Sequence, residues 1–178
     1  MAVTLDTYDP VRDIHPRNKQ IVGRRLAIGA ARVAYGHKDY PQNGPFPTRF
    51  QQKKGQVLEV RYPLKPGITY DNSEISGFYV CCNKPFDLCD ATGSRETSWA
   101  KLGKGSVKAD LRSGLVTVSY GSQCGEGEEA SGIAYLWEDN PVRAMLGAPI
   151  YSDDTFRLPA GPWKWQLKGV EEYNGLVM

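Results

Sequence analysis

The apolar residues of this chain change their period at Gly36, and that change constrains the fold more than any other feature. From Pro16 to Tyr35 the spacing is helical. Val22, Leu26, Gly29 and Val33 recur at steps of four, three and four, with Ala30 and Ala34 widening the stripe. Pro16 suits the first helical turn, where its missing N–H leaves nothing unpaired. Gly36 can take the left-handed conformation just past the helix end. The small residues Gly29, Ala30, Ala31 and Ala34 would let the helix lie close to a sheet. The next stretch, HKDYPQNGPFPTRF, is rich in Pro, Gly and Asn and reads as a linker or crossing segment. From about Thr48 the period is two. Leu58, Val60 and Tyr62 alternate with Glu59 and Arg61, and Val116, Val118 and Tyr120 with Thr117 and Ser119; Ile133, Tyr135 and Trp137 form a third run. Turn-rich segments such as LKPGITYDNSE and GSQCGEGEEASG separate these runs. The pattern predicts a small antiparallel sheet or sandwich. GSQCGEGEE is glycine-rich but acidic, so it is a loop and not a phosphate cradle.

Four cysteines lie at positions 81, 82, 89 and 124. On a strand, Phe78, Val80 and Cys82 share one face, while Tyr79 and Cys81 share the other. Adjacent cysteines on opposite faces are poorly placed to bond to each other. Cys81 and Cys82 are therefore expected to pair separately with Cys89 and Cys124, in an oxidising compartment. The competing expectation is four free thiols in a cytosolic core. Zinc is a weaker reading, because no CxxC spacing is present and His15 and His37 lie far off in sequence.

The net charge of +2 is too near zero to argue for nucleic acid or an anionic membrane as partner. Arg17, Lys19, Arg24, Arg25 and Arg32 cluster on the helix, and the expectation for them is a solvated face. No stretch approaches the ~20 apolar residues that span a bilayer. The opening MAVTLDTYDP has no basic region and no signal-peptide core. Ala2–Leu5 reads as a short buried strand, an unusual way for a domain to begin, which leads us to expect that an N-terminal part is missing.

Between that strand and the helix lies a loop ending DIHP. A histidine works as a general base when a nucleophile's proton is within reach and a carboxylate holds its other ring nitrogen. His15 sits where α/β hydrolases present such groups, after a strand and before a helix. Asp6, Asp9 and Asp13 could each orient it. On spacing alone, a helix-entry histidine without a chemical role is the simpler reading.

The run MAVTLDTYDP…DIHPRNKQIVGRRLAIGAARVAYG closely resembles the catalytic-histidine block of the sialate O-acetylesterases, members of the SGNH hydrolase superfamily. A TLD strand end, an IHPR(N/D)KQ turn and a basic, alanine-rich helix ending in YG follow in the family's order. More weakly, GPFP at 44–47, the cysteines, YLWEDNP at 135–141 and LPAGPW at 158–163 resemble the family's β-rich region. The resemblance implies an α+β chain: residues 1–36 as the last strand, catalytic loop and helix of an SGNH α/β hydrolase domain, 37–47 as a linker, and 48–178 as a β-rich domain. It also implies removal of O-acetyl groups from sialic acids, with His15 as catalytic histidine and Asp13 as orienting acid. The family usually places that acid three residues before the histidine, where this chain has Arg12, so Asp9 stands as the alternative. Arg17 and Lys19 match the motif in structural roles. Such chemistry needs no cofactor, and no metal constellation is visible. The compartment implied is lysosomal or secreted.

The family's serine nucleophile sits in a glycine-rich turn upstream of the histidine block, and nothing here matches it. Ser76, Ser119, Ser122 and Ser131 all lie in β-type or loop context. The chain is therefore expected to need an upstream hydrolase segment to complete the site. The alternative is a β-rich carbohydrate-binding or interaction module, in which Trp99, Trp137, Trp163 and Trp165 would stack on sugars. Core packing is the expectation for these tryptophans.

Overall fold

Alternating apolar residues can bury one face of a sheet only against a second layer, and two layers are what form here. The computed structural model of the chain describes residues 2–7, 17–70, 77–90, 98–103, 105–137, 148–167 and 174–176. Helix α1 (Lys19–Val33) is followed by strands β1 (Arg49–Lys53), β2 (Val57–Arg61), β3 (Ile68–Thr69), β4 (Phe78–Cys82), β5 (Trp99–Lys101), β6 (Val107–Asp110), β7 (Leu115–Ser119), β8 (Ala130–Tyr135), β9 (Tyr151–Ser152), β10 (Trp163–Gln166) and β11 (Asn174–Leu176). One sheet has the order β11-β1-β2-β7-β6 and a second the order β10-β8-β4-β5; β3 and β9 form a short separate ladder. All these pairings are antiparallel. The described part is thus mostly β-sheet with one helix.

Leu58, Val60, Val116 and Val118 of the first sheet are fully buried, as are Val80, Ile133 and Tyr135 of the second, and they share one core with Phe50, Phe78 and Trp163. Burying each such side chain contributes about 1.5–3 kcal/mol. Aromatic rings join the layers. Phe50 meets Trp163 edge-on at 4.8 Å and stacks on Trp165 at 4.3 Å. The predicted alternation of β2 and β7 is therefore the inner face of the sandwich.

The strand β4 divides its cysteines as its period requires. Cys81 bonds Cys89 in a small cluster with Tyr79, Trp99 and Ala134 on the outer face. Cys82 bonds Cys124 against the main core. Constraining the unfolded chain stabilises more when the closed loop is longer. The separations are 42 and 8 residues, so removing the Cys82–Cys124 link should cost roughly 1.5 kcal/mol more than removing Cys81–Cys89. Guanidinium unfolding of the two double-alanine variants checks this, and equal midpoints would refute it.

Three expectations need correction. Ala2–Leu5 is not a strand. Its residues end in a turn in which Thr7 N–H and Thr7 Oγ1 both donate to the Thr4 carbonyl, at 3.0 and 2.7 Å. An isolated segment has no ladder to join, and the Val3 carbonyl is taken by Arg25 at 3.0 Å. The buried face of α1 is also displaced by one position. Arg25 and Ile28 are buried, whereas Leu26 and Val33 are 55% and 67% exposed. Arg25 therefore does not belong to a solvated face. Finally, the third alternating run ends at Tyr135. Leu136 adopts a left-handed φ of +49°, so it turns inward and Trp137 swings out.

The helix stop is as expected. Gly36 has φ +71°, and His37 N–H donates to the Ala31 carbonyl at 2.9 Å. The crossing segment then passes close to the backbone at Leu158 and Pro159. A Cβ on Gly44 would lie 1.9 Å from the Pro159 carbonyl oxygen, so only glycine fits that approach.

Candidate functional site

The predicted site residues His15, Asp13 and Asp9, with Pro16 and Ser76, lie outside the described residues. Both ends of the loop that carries the histidine are described. At the far end, Asn18 caps α1, its side-chain oxygen accepting from Ile21 N–H at 3.3 Å. At the near end, the turn through Thr7 delivers Asp6 into the interior, where its side chain is fully buried.

A buried carboxylate is tolerable only with a counter-charge and hydrogen bonds. Asp6 has both. Arg25, 6% exposed, grips it with both terminal nitrogens, Nη2 donating to Oδ2 at 2.7 Å. Tyr151 of β9 donates its hydroxyl to the same Oδ2 at 2.8 Å, and that hydroxyl accepts from Ala148 N–H at 3.0 Å. Burial, and then the neighbouring Asp6 charge, push the Tyr151 phenol well above its ordinary pKa, so it remains a donor. The Arg157 guanidinium lies 5.2 Å from the Tyr151 ring centre. A cleft of about 110 Å³ opens beside this group, lined by Ile21, Arg24, Arg25, Ile28, Tyr151 and Arg157.

Of the three carboxylates considered as partners for the imidazole, Asp6 is thus committed elsewhere. Its partners Arg25 and Tyr151 carry no local sequence signal. They stand 19 and 145 residues away, and neither separation follows a helix or strand period.

Ser119 and Ser122 are exposed, and Ser131 Oγ donates to the Cys81 carbonyl at 3.4 Å beside the disulfide. Among the described residues no group of three or more His, Cys, Asp or Glu is placed to hold a metal ion. No described helix is long and apolar enough to cross a membrane.

The tryptophans mostly pack, as expected. Trp163 is buried and donates to the Tyr62 hydroxyl at 3.1 Å; Trp99 is buried and donates to Asp90 at 2.7 Å. Trp137 alone of the four is exposed, with the Lys164 ammonium 4.4 Å from its ring centre. Lys164 also pairs with Asp90. Burial, the largest single influence on Asp90, raises its pKa. The Lys164 and Trp99 hydrogen bonds and the Lys164 charge together outweigh it, and the carboxyl lies below its ordinary value.

Residues 48–167 match the family described as the sialate O-acetylesterase C-terminal domain. The chain is 41% identical over 86 residues to the sialate O-acetylesterase of Rattus norvegicus, an alignment covering 46% of this chain and 16% of that protein. It is 44% identical over 89 residues to that of Pongo abelii, covering 47% and 17%. The aligned part of the chain therefore covers about a sixth of the length of these curated relatives. Among solved structures, a carbohydrate acetylesterase from Xanthomonas citri has the same fold, with a TM-score of 0.62 at 22% identity, over 92% of this chain and 32% of that one.

Proposed function

The chain belongs to the sialate O-acetylesterase family through its C-terminal domain, and on that premise we propose that it is the C-terminal portion of a carboxylic-ester hydrolase acting on O-acetylated sialic acids. Residues 1–36 are then the last loop and helix of an SGNH hydrolase domain, 37–47 a linker and 48–178 the β-rich domain. The observation that carries this reading is the family match over 48–167, which follows the histidine block across the segment 37–47. Two further features support it. The alignments to curated relatives named sialate O-acetylesterase, 41% and 44% identical, agree with that family match. Leu26 and Val33, seven residues apart and exposed on α1, offer an apolar face for such a segment to cover.

The chemistry follows from the groups. A serine Oγ from the upstream hydrolase segment attacks the acetyl carbonyl while His15 removes its proton. The carbonyl oxygen becomes an oxyanion held by donors in that segment. As the tetrahedral intermediate collapses, His15 returns the proton to the departing sugar oxygen, leaving an acetyl-serine. His15 then takes a proton from water and the hydroxide attacks the acetyl carbon. As the second tetrahedral intermediate collapses, the bond to serine Oγ breaks, His15 returns the proton to that oxygen and acetate leaves. Asp13 holds the imidazole in the right tautomer and balances its positive charge. The two disulfides support an oxidising compartment for this work, and our reading of it is lysosomal or secreted.

The test supplies the chain with the serine-bearing upstream segment and follows acetate release from an O-acetylated sialoside. Hydrolysis is expected only with both parts present, and His15→Ala should lower kcat by at least about a thousandfold. A comparable loss in Asp13→Asn but not in Asp9→Asn would assign the orienting acid. Unchanged turnover in His15→Ala would sink the proposal. The carbohydrate-module reading rests on exposed Trp137, and glycan binding by the isolated chain that Trp137→Ala abolishes and His15→Ala spares would favour it.

A further inference from the structure

We propose that Tyr151, acting through Asp6 and Arg25, is a positioning residue for the His15 loop, so that the β-rich domain holds the catalytic loop at its root. This rests on the function proposed above and adds a role for the β-rich domain within it. Asp6 stands just before the loop. Arg25 stands on the helix that begins where the loop ends, seven residues past the Asn18 cap and so about 10 Å along the axis. Their bidentate pairing therefore ties the residue just before the segment that carries Asp9, Asp13 and His15 to the helix that follows it. Arg25 also holds the Val3 carbonyl at 3.0 Å, which fixes the approach to the turn.

Tyr151 ties this closed base to a different part of the fold. It lies on β9, which pairs with β3 through Thr69↔Tyr151 and Ile68↔Ser152. Its hydroxyl donates to Asp6 Oδ2 at 2.8 Å, and Ala148 N–H donates to that hydroxyl and fixes its direction. Stability alone is a poor reason for such an arrangement, since apolar residues of similar volume often stabilise as well as a buried ion pair does. What a fully satisfied buried network supplies is one geometry. A general base needs that, because a misplacement of about 1 Å can lower the rate on the order of 100-fold.

The test uses the chain with its upstream segment. Tyr151→Phe keeps the ring and removes the donor. Its kcat should fall on the order of 10- to 100-fold, with KM changed less than about twofold. Arg25→Lys, which keeps the charge but loses the two-pronged grip, should behave alike. Tyr135→Phe is the control: it deletes another buried hydroxyl, which accepts from Ile150 N–H at 3.2 Å, and should leave kcat unchanged. A second readout needs no activity. The chain has two histidines, so in the isolated chain Tyr151→Phe should move the His15 imidazole resonances and leave those of His37 in place; Arg25→Lys serves if the first variant does not fold. The proposal is overturned by a folded Tyr151→Phe with wild-type kcat, by an equal loss in Tyr135→Phe, or by unmoved His15 resonances. If the unsubstituted pair hydrolyses nothing, the assigned reaction fails, and the imidazole comparison still decides the anchor.

Discussion

Replacing Asp6 by alanine is expected to remove about 3–5 kcal/mol of folding free energy, measured as a shift in urea unfolding. The carboxylate itself contributes little net energy, because taking two charges out of water offsets most of their attraction. The loss arises from what stays behind. Arg25 would remain buried with no counter-charge, and the Tyr151 hydroxyl would face an empty acceptor site. The double variant Asp6→Ala/Arg25→Met removes the stranded charge and should recover most of the stability. Lys53 and Glu59 offer the contrast. They stand 3.8 Å apart and about a third exposed, so breaking that pair should cost under about 1 kcal/mol. An Asp6→Ala midpoint equal to wild type, or a double variant no better than the single, would show that the network is not the anchor described.

Raising the pH past 10 is expected to unfold the protein cooperatively, and this should be its largest response to solution conditions. Burial raises the phenol pKa values of Tyr62, Tyr135 and Tyr151 above the ordinary tyrosine value. The Trp163 N–H bond to Tyr62 opposes this only in part, and the Asp6 charge reinforces it at Tyr151. In the unfolded chain these phenols ionise near pH 10, while in the folded protein they keep their protons. Above that pH the unfolded state binds fewer protons, so the stability present below it falls as pH rises toward the folded values. Three such groups give a slope of about 4 kcal/mol per pH unit. Phenolate absorbance should therefore rise in two steps, the second coinciding with loss of circular dichroism. A single gradual titration of all ten tyrosines with the fold intact would contradict the burial argument.

How much of this was legible in the sequence depends on the range of the interaction responsible. The inner faces of β2 and β7 were readable because a half-buried strand writes its environment at every second residue. The extent of α1 and its stop at Gly36 were readable for similar local reasons. Its orientation was not, because the position that turns inward holds an arginine, and a pattern of apolar residues takes arginine for solvent. Only Asp6, far along the chain, makes Arg25 a core residue. The run through Ile133 and Tyr135 failed at one backbone angle, since the left-handed Leu136 reverses the alternation. The cysteines show the opposite case, where strand geometry alone kept Cys81 and Cys82 apart. Choosing between their two possible partners required the fold. In the candidate site the histidine block was legible as a motif, whereas the tyrosine that ties its base to the sandwich belongs to the far half of the chain.

The adjacency of Cys81 and Cys82 also bears on how the protein is made. During synthesis Cys89 emerges long before Cys124, so two neighbouring thiols first meet a single partner. Joining Cys82 to Cys89 would drag an inward-facing residue of β4 to the outer surface and block the sandwich from closing. Thiol–disulfide exchange can correct that error only while a free thiolate remains to attack. The yield of correctly paired protein is therefore governed by how long Cys82 stays reduced, and an expression host is better chosen for its isomerase than for its oxidising strength.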